Sequence, residues 1–178
     1  MGKKWLDIVY NEKSSDKLKH HYKLWAEKYD QDLINWGYAY PSQLKKIMSK
    51  DIKIKKNSKI LDAGCGTGLV AEVLGDMNFK NIVGLDYSMD MLKIAKNKKI
   101  YTRLLQESLN KMTSLRSNQF DIVLCTGVLT SGHVGAKAIN ELIRVTKNKG
   151  YLILSIAESI YEKLGFCLLY TSPSPRDP

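Results

Sequence analysis

The chain has 178 residues, of which 44% are hydrophobic, enough for one core in a single compact unit. Its start, Met-Gly-Lys-Lys-Trp, lacks the apolar region of a signal peptide, and no apolar run approaches the roughly 18 residues that a membrane span needs. Three cysteines without metal-ligand spacing (Cys65, Cys125 and Cys167) argue against a disulfide framework and predict no metal site. We therefore expect a cytoplasmic protein with no membrane partner.

The formal net charge of +10 is typical of domains that bind nucleic acid. However, only four of the 28 basic residues are Arg, and Lys is the weaker reader of bases and phosphate groups. A lysine-rich solvated surface explains the same charge. A nucleic-acid partner therefore stays open but is not favoured.

The first 57 residues are predicted to form a helical segment. An amphipathic helix over Ser14–Tyr29 places four large side chains at helical spacing: Leu18, Tyr22, Trp25 and Tyr29. Its candidate N-caps are Ser14, Ser15 and Asp16. A second, short helix is predicted after Pro41, with Ser42 as its cap and Leu44, Ile47 and Met48 facing inward.

The stretch from Lys59 to Tyr87 has the layout of a strand, a glycine turn, a helix and a second parallel strand. The first apolar run is Ile60-Leu61, and the second, Ile82–Leu85, ends at Asp86. Three glycines at alternate positions (Gly64, Gly66 and Gly68) allow a tight turn and let a nucleotide-like ligand lie against the backbone.

The residues around this turn separate three ligand classes. A phosphate-binding loop needs Lys and then Ser or Thr after its last glycine, whereas this chain has Leu69-Val70. A dinucleotide turn needs its third glycine at position 69, so that pattern matches imperfectly. The turn is instead flanked by two acids, Asp62 and Asp86, which favour a cationic ligand without phosphate.

The rest of the predicted core, residues 58–165, continues the alternation of helices and strands. Ser88 is predicted to cap the next helix, in which Met91, Leu92 and Ala95 face inward. The later elements are expected at Ile100–Leu105 (strand), Ile122–Cys125 (strand), Ala136–Lys147 (helix), a turn at Lys147–Gly150, and Tyr151–Ser155 (strand). The ligand crevice of an open α/β sheet lies at the carboxyl ends of its strands, beside Thr126–His133.

The run Asp62–Gly68, Asp-Ala-Gly-Cys-Gly-Thr-Gly, resembles the first motif of the class I S-adenosylmethionine-dependent methyltransferases. Asp86 with the residues after it resembles the second motif of that family. The sequence around Trp25 and Tyr29-Asp30 is similar to the N-terminal element of the small methyltransferase-like proteins of the Williams-Beuren critical region type. This resemblance implies a doubly wound, Rossmann-like, mostly parallel sheet with strand order 3-2-1-4-5 beneath an N-terminal helical lid.

The resemblance also implies S-adenosyl-L-methionine as cofactor and assigns its contacts. Asp62 and the turn would hold the methionine end, Asp86 the ribose, and Tyr87 and Glu107 the adenine. The full set of implied cofactor-binding residues is Tyr29, Asp62, Ala63, Gly64, Cys65, Gly66, Gly68, Asp86, Tyr87, Ser88, Met91, Glu107, Ser108, Cys125, Thr126 and Gly127. The local sequence at Glu107 departs from the Asp-Ala or Asp-Leu form common in the family.

His133 is the one candidate for a catalytic proton acceptor, because it alone near the crevice titrates close to neutral pH. A histidine at such a place also serves as a surface or capping residue. In-line methyl displacement needs alignment of donor and acceptor more than it needs a base, since the sulfonium is already a good leaving group.

The resemblance implies a methyl transfer to an oxygen, nitrogen or sulfur atom of a small molecule. Three alternatives stay open: an RNA methyltransferase, a cofactor-binding but inactive truncated fragment, and, more remotely, a nicotinamide dehydrogenase. Three of the four prolines fall within 172–178, so we expect 166–178 to be a disordered tail foreign to the domain. The chain is also expected to lack the last strands of the family's seven-stranded sheet.

Overall fold

A computed structural model of the protein describes residues 5, 8–9, 12, 14–50, 54–129 and 137–156. From β1 onward helices and strands alternate, except that β4 follows β3 without a helix between them. The elements are α1 (Ser15–Asn35), α2 (Tyr40–Lys50), β1 (Ile60–Ala63), α3 (Leu69–Asp76), β2 (Ile82–Asp86), α4 (Met89–Asn97), β3 (Arg103–Gln106), β4 (Phe120–Leu129), α5 (Lys137–Val145) and β5 (Thr146–Ile156).

The five strands form one parallel sheet in the order β3-β2-β1-β4-β5, which confirms the predicted topology. The order reverses between β1 and β4, because β1 pairs with β2 on one side and with β4 on the other. A crevice opens at such a reversal, outside the carboxyl ends of the strands. The fold therefore brings the residues after β1, β2 and β4 to one edge of the sheet.

Hydrophobic side chains cover both faces of the sheet, as expected for parallel strands. Ile60 packs on one face with Leu44 of α2 and Leu74 of α3. Its neighbour Leu61 points to the opposite face and packs in the cluster that includes Leu142 of α5. The period of two along β1 thus assigns successive side chains to the two clusters on opposite faces of the sheet.

Helix α1 begins after Ser14, whose side chain accepts a hydrogen bond from the Lys17 N–H, so this predicted cap is confirmed. The helix ends at Asn35, six residues beyond the predicted end. Trp25 is 1% exposed, and its indole N–H donates to Asp32 Oδ2 at 2.8 Å within the added stretch. This contact joins side chains two helical turns apart and supports the helix beyond Tyr29.

Two predicted starts are wrong. Ser42 lies inside α2 rather than before it, and its hydroxyl donates to the Ala39 carbonyl at 2.9 Å. Strand β3 begins at Arg103 rather than Ile100, because Ile100 and Tyr101 pack in the core cluster of α2 and α3.

The final strand starts earlier than predicted. Strand β5 includes the predicted turn, since Thr146 pairs with Phe120 and Tyr151 with Ile122, and the residues between form an irregularity in which Lys149 has φ 62°. Among the described helices, none has the length and apolar character needed to cross a bilayer. The predictions for His133 and the tail 166–178 fall outside the described residues.

Candidate cofactor site

A cavity of about 430 Å³ lies at the carboxyl ends of β1, β2 and β4 and is covered by α1. Thirteen of the residues proposed as cofactor contacts line it. They are Tyr29, Asp62, Gly64, Cys65, Gly66, Asp86, Tyr87, Ser88, Met91, Glu107, Ser108, Thr126 and Gly127. Their positions span 99 places along the sequence, and the strand order brings them together.

Three other proposed contacts lie outside the lining. Ala63 and Cys125 are fully buried in the hydrophobic core on one face of the sheet, because strand alternation turns them away from the cavity. Gly68 is the N-cap residue of α3, and a Cβ there would lie 3.1 Å from the Tyr101 ring. These three positions lie behind the residues that line the cavity.

The glycine turn folds back on β2. Gly64 N–H and Cys65 N–H both donate to the Leu85 carbonyl, at 2.7 and 3.0 Å. Gly64 has φ 79°, and a Cβ on it would clash with the Val128 side chain. Gly66 has φ 52° and no atom within 4 Å of a Cβ position, so the space beside it is open. Gly64 is thus demanded by the fold, whereas Gly66 borders empty volume.

Asp86 ties the turn to the next helix. Its Oδ2 accepts from the Gly66 N–H and its Oδ1 from the Ser88 N–H, both at 2.8 Å. Burial raises the pKa of Asp86, and the backbone hydrogen bonds from Ser88, Gly66 and Tyr87 oppose that rise. A carboxylate has about four acceptor positions. Asp86 therefore keeps at least about one of these positions for a ligand.

Asp62 is almost fully buried at the end of β1. The Tyr101 hydroxyl donates to its Oδ2 at 2.7 Å. Burial raises the pKa of Asp62 to about 7, with the Tyr101 hydrogen bond lowering it and the charge of Asp86 raising it. The Cys65 thiol beside them has its pKa raised well above its ordinary value, first by burial and then by both carboxylates. Cys65 is accordingly a neutral part of the wall.

Two polar atoms of the wall have no partner. Among the described residues, Glu107 Oε2 and Thr126 Oγ1 are the buried side-chain oxygen or nitrogen atoms without a hydrogen bond. The other oxygen of Glu107 accepts from the Ser114 N–H at 3.1 Å, which fixes the carboxyl group. Unpaired buried polar atoms are costly, so their presence on a cavity wall indicates groups that meet a ligand.

The lid contributes lining residues that the sequence did not single out as contacts. From α1 and the segment after it come Leu18, Lys19, Tyr22, Leu33 and Tyr38; from elsewhere come Thr67, Leu69, Val70, Leu109, Asn110 and Val128. The Lys19 Nζ lies 5.2 Å from the centre of the Tyr87 ring, which is 46% exposed. The aromatic spacing on α1 is the signal that could have found Tyr22.

Asp30 fastens the lid to the turn. Its Oδ1 accepts a hydrogen bond from the Thr67 hydroxyl, and its Oδ2 pairs with Lys98 Nζ at 2.6 Å. Lys98 also pairs with Glu72 of α3 at 3.0 Å. The lid helix is therefore tied to the glycine turn itself. In the described part of the chain, no cluster of three or more His, Cys, Asp or Glu side chains is arranged to hold a metal ion.

A doubly wound sheet whose acid-flanked glycine turn opens into a lidded cavity defines the class I S-adenosylmethionine-dependent methyltransferase fold. Residues 61–154, more than half of the chain, match the family described as methyltransferase domain. The chain belongs to this family of S-adenosylmethionine-dependent methyltransferases.

Individual relatives agree with this placement. The chain is 37% identical to human methyltransferase-like protein 27 over 76% of its own length and 56% of the relative. It is 28% identical to the demethylmenaquinone methyltransferase of Renibacterium salmoninarum, over 82% of this chain and 60% of that protein. A solved Methanococcus maripaludis structure, of a candidate S-adenosyl-L-methionine-dependent methyltransferase, shares the fold with TM-score 0.62 and 18% identity, covering 85% of this chain and 72% of that one. The chain spans about half the length of the first curated relatives.

Proposed function

We propose that the cavity binds S-adenosyl-L-methionine and that the protein transfers its methyl group to a small-molecule acceptor. The observation that carries the proposal is the charge of the wall. Three carboxylates, of Asp62, Asp86 and Glu107, line the cavity beside a single lysine, Lys19, in a protein whose net charge is +10. A ligand with a sulfonium and an ammonium is attracted there, whereas a pyrophosphate is repelled.

The unpaired groups of the wall fit this cofactor. Glu107 Oε2 can accept a hydrogen bond from an adenine amino group, and a free acceptor position of Asp86 can take a ribose hydroxyl. The open space beside Gly66 lets a ligand approach the backbone. Asp62 supplies the negative charge for the methionine ammonium. The half-exposed ring of Tyr87 offers a face on which adenine can stack.

When bound, the cofactor supplies a methyl group on a sulfonium centre that leaves readily. The protein's own task is then to align the acceptor and exclude water. In this proposal residues 1–57 act as the lid and 58–165 as the cofactor-binding core. The Asp30 contacts with Thr67 and Lys98 hold α1 over the turn and so close the cavity.

The acceptor class follows from the size and lining of the cavity. About 430 Å³ lies within the range of small-ligand pockets, and the lid side is aromatic and aliphatic: Tyr22, Tyr29, Leu33 and Tyr38. The similar Renibacterium protein is named for a small-molecule acceptor, demethylmenaquinone. These features favour a compact acceptor with an apolar part over a nucleic acid strand.

The test is a transfer assay with methyl-labelled S-adenosyl-L-methionine and two fractions of a cell extract, small metabolites and purified RNA. Label is expected in the metabolite fraction and absent with an Asp86→Ala variant that folds normally. Label found only in RNA would overturn the acceptor class. Cofactor binding without transfer to any fraction would contradict the proposed activity.

A further inference from the structure

A tyrosine outside the cavity lining donates a hydrogen bond to one of the cavity's acids. Tyr101 follows α4 and precedes β3, and its hydroxyl donates to Asp62 Oδ2 at 2.7 Å. The cavity wall does not include Tyr101. The Tyr101 side chain therefore contacts the site through Asp62 and does not itself line the cavity.

Two glycines make room for the Tyr101 ring. A Cβ on Gly84, in the middle of β2, would lie 2.8 Å from ring atom Cε1, and a Cβ on Gly68 would lie 3.1 Å from Cε2. Gly84 is also the register partner of Asp62. The ring thus occupies the space above the neighbouring strand, with its hydroxyl aimed at the carboxylate. A glycine inside a strand often marks such a close approach.

The surroundings of Asp62 otherwise oppose its negative charge. Asp86 of β2 carries the same charge, while Cys65 of the turn and Cys125 of β4 are thiols whose pKa values are raised by burial and by these acids. Burial and Asp86 raise the pKa of Asp62, and the Tyr101 hydrogen bond lowers it. The pKa of Tyr101 itself is raised, first by burial and then by Asp62, so the hydroxyl keeps its proton at neutral pH.

We propose that Tyr101 is a positioning residue of the cofactor site, whose hydroxyl keeps the Asp62 carboxylate charged and oriented for the cationic end of the ligand. This inference rests on the proposed function, because it needs a cation at Asp62. Without the hydroxyl, Asp62 takes up a proton at a higher pH, and binding weakens first at neutral and mildly acidic pH. A tyrosine that only filled space would show no such pH dependence.

The test measures the Kd for S-adenosyl-L-methionine by calorimetry from pH 6.0 to 8.5 for the wild type and for Tyr101→Phe, which keeps the ring between the glycines. If the hydroxyl lowers the pKa of Asp62 by on the order of one unit, the ratio of variant to wild-type Kd is about tenfold at pH 6 and below about twofold at pH 8.5. The ligand's own ammonium titrates equally in both titrations, so the ratio isolates the protein.

Tyr151→Phe is the matched control, since Tyr151 lies 39% exposed on β5 and away from Asp62. Its Kd is expected to equal the wild-type value at every pH. In an Asp62→Asn background, Tyr101→Phe is expected to change Kd by less than about twofold throughout, because the titrating partner is gone.

A Kd ratio that stays constant with pH, or an unchanged effect of Tyr101→Phe in the Asp62→Asn background, would overturn the role of Tyr101. Absence of binding by the folded wild type would instead overturn the proposed function. If Tyr101→Phe fails to fold, Tyr101→Met, whose flexible side chain also lacks the hydroxyl, replaces it in the same titrations. A ratio of its Kd to the wild-type Kd that stays constant with pH contradicts the inference.

Discussion

Asp30 of the lid helix and Lys98, 68 residues later, form an ion pair of 2.6 Å at the foot of the glycine turn. Asp30 also accepts from the buried Thr67 hydroxyl inside the turn. Asp30 belongs to the lid helix and Thr67 to the glycine turn, and both elements line the cavity. A movement of the lid is therefore linked to the geometry of the turn.

Removing this link should loosen the lid. Asp30→Ala deletes two charge-assisted hydrogen bonds, worth about 1 to 3 kcal/mol in such half-buried settings. We expect faster hydrogen exchange across Ser15–Asn35 and faster release of S-adenosyl-L-methionine. Asp76→Ala, an exposed acid at the end of α3, is the control and should change neither. Unchanged exchange and release rates in Asp30→Ala would show that the lid is held elsewhere.

Asp62 should make the ligand-free protein less stable at high pH. Its folded pKa of about 7 lies above its ordinary value of 3.8, so the folded state binds the extra proton between these two pH values. Stability therefore falls as pH rises from about 4 to about 7, and the full cost is present above 7.

The Asp62→Asn variant removes this cost while keeping the shape of the side chain. At pH 8 we expect it to unfold at a higher temperature than the wild type, with a free energy of unfolding larger by about 2 to 4 kcal/mol. At pH 5 the difference in free energy of unfolding should be smaller. Thermal melts of the ligand-free proteins measure the difference, with Asp76→Asn as the exposed control. A variant less stable than the wild type at pH 8, or a gap independent of pH, would contradict the assignment.

Gly66 should be required by the ligand and not by the fold. Gly66→Ala and Gly37→Ala place a Cβ at similar positive φ values, 52° and 74°, with no neighbouring atom within 4 Å. Each should cost about 1 to 2 kcal/mol of stability from backbone strain. Only Gly66→Ala is expected to weaken cofactor binding, by at least about tenfold, since its methyl group enters the cavity. Equal affinities of the two variants in calorimetry would place the ligand elsewhere.

Glu107 is expected to recognise the adenine amino group by accepting a hydrogen bond from it. The unpaired Oε2 predicts that the wild type prefers S-adenosylhomocysteine over S-inosylhomocysteine, which offers a carbonyl oxygen in place of the amino group. Loss of a hydrogen bond to a charged group corresponds to roughly 10- to 100-fold. Glu107→Gln should reduce that preference, because its amide can serve both ligands. A preference that Glu107→Gln leaves intact would remove Glu107 from adenine recognition.

The sequence alone predicted those features of the site that depend on local signals. Alternation and the glycine spacing predicted the strands, and Ser14 and Ser88 were among the candidate caps, because each of these signals spans only a few residues. The strand order came from the resemblance to the methyltransferase family. Boundaries were less accurate where tertiary packing decided them. The sequence predicted that a strand starts at Ile100, but the Ile100 side chain packs against the core cluster beneath α2 and α3.

Contacts between distant positions left little trace in the sequence. Thr67 sat inside the recognised turn, yet its pairing with Asp30 depends on where α1 crosses the sheet. The Tyr101 contact had one local signal, the glycine at position 84 in an otherwise branched and apolar strand. That glycine indicates that something approaches closely, but it does not say which residue does so.

Calorimetric titration of the folded wild type with S-adenosyl-L-methionine at pH 7.5, beside Asp86→Ala and the exposed-acid control Asp76→Ala, tests the central claim most directly. We expect one binding site per chain for the wild type and for Asp76→Ala. We expect at least about 100-fold weaker binding for Asp86→Ala, since a hydrogen bond to the ribose, the negative charge and the anchor of Gly66 are lost together. No heat with the wild type, or equal affinity for Asp86→Ala, would contradict the central claim.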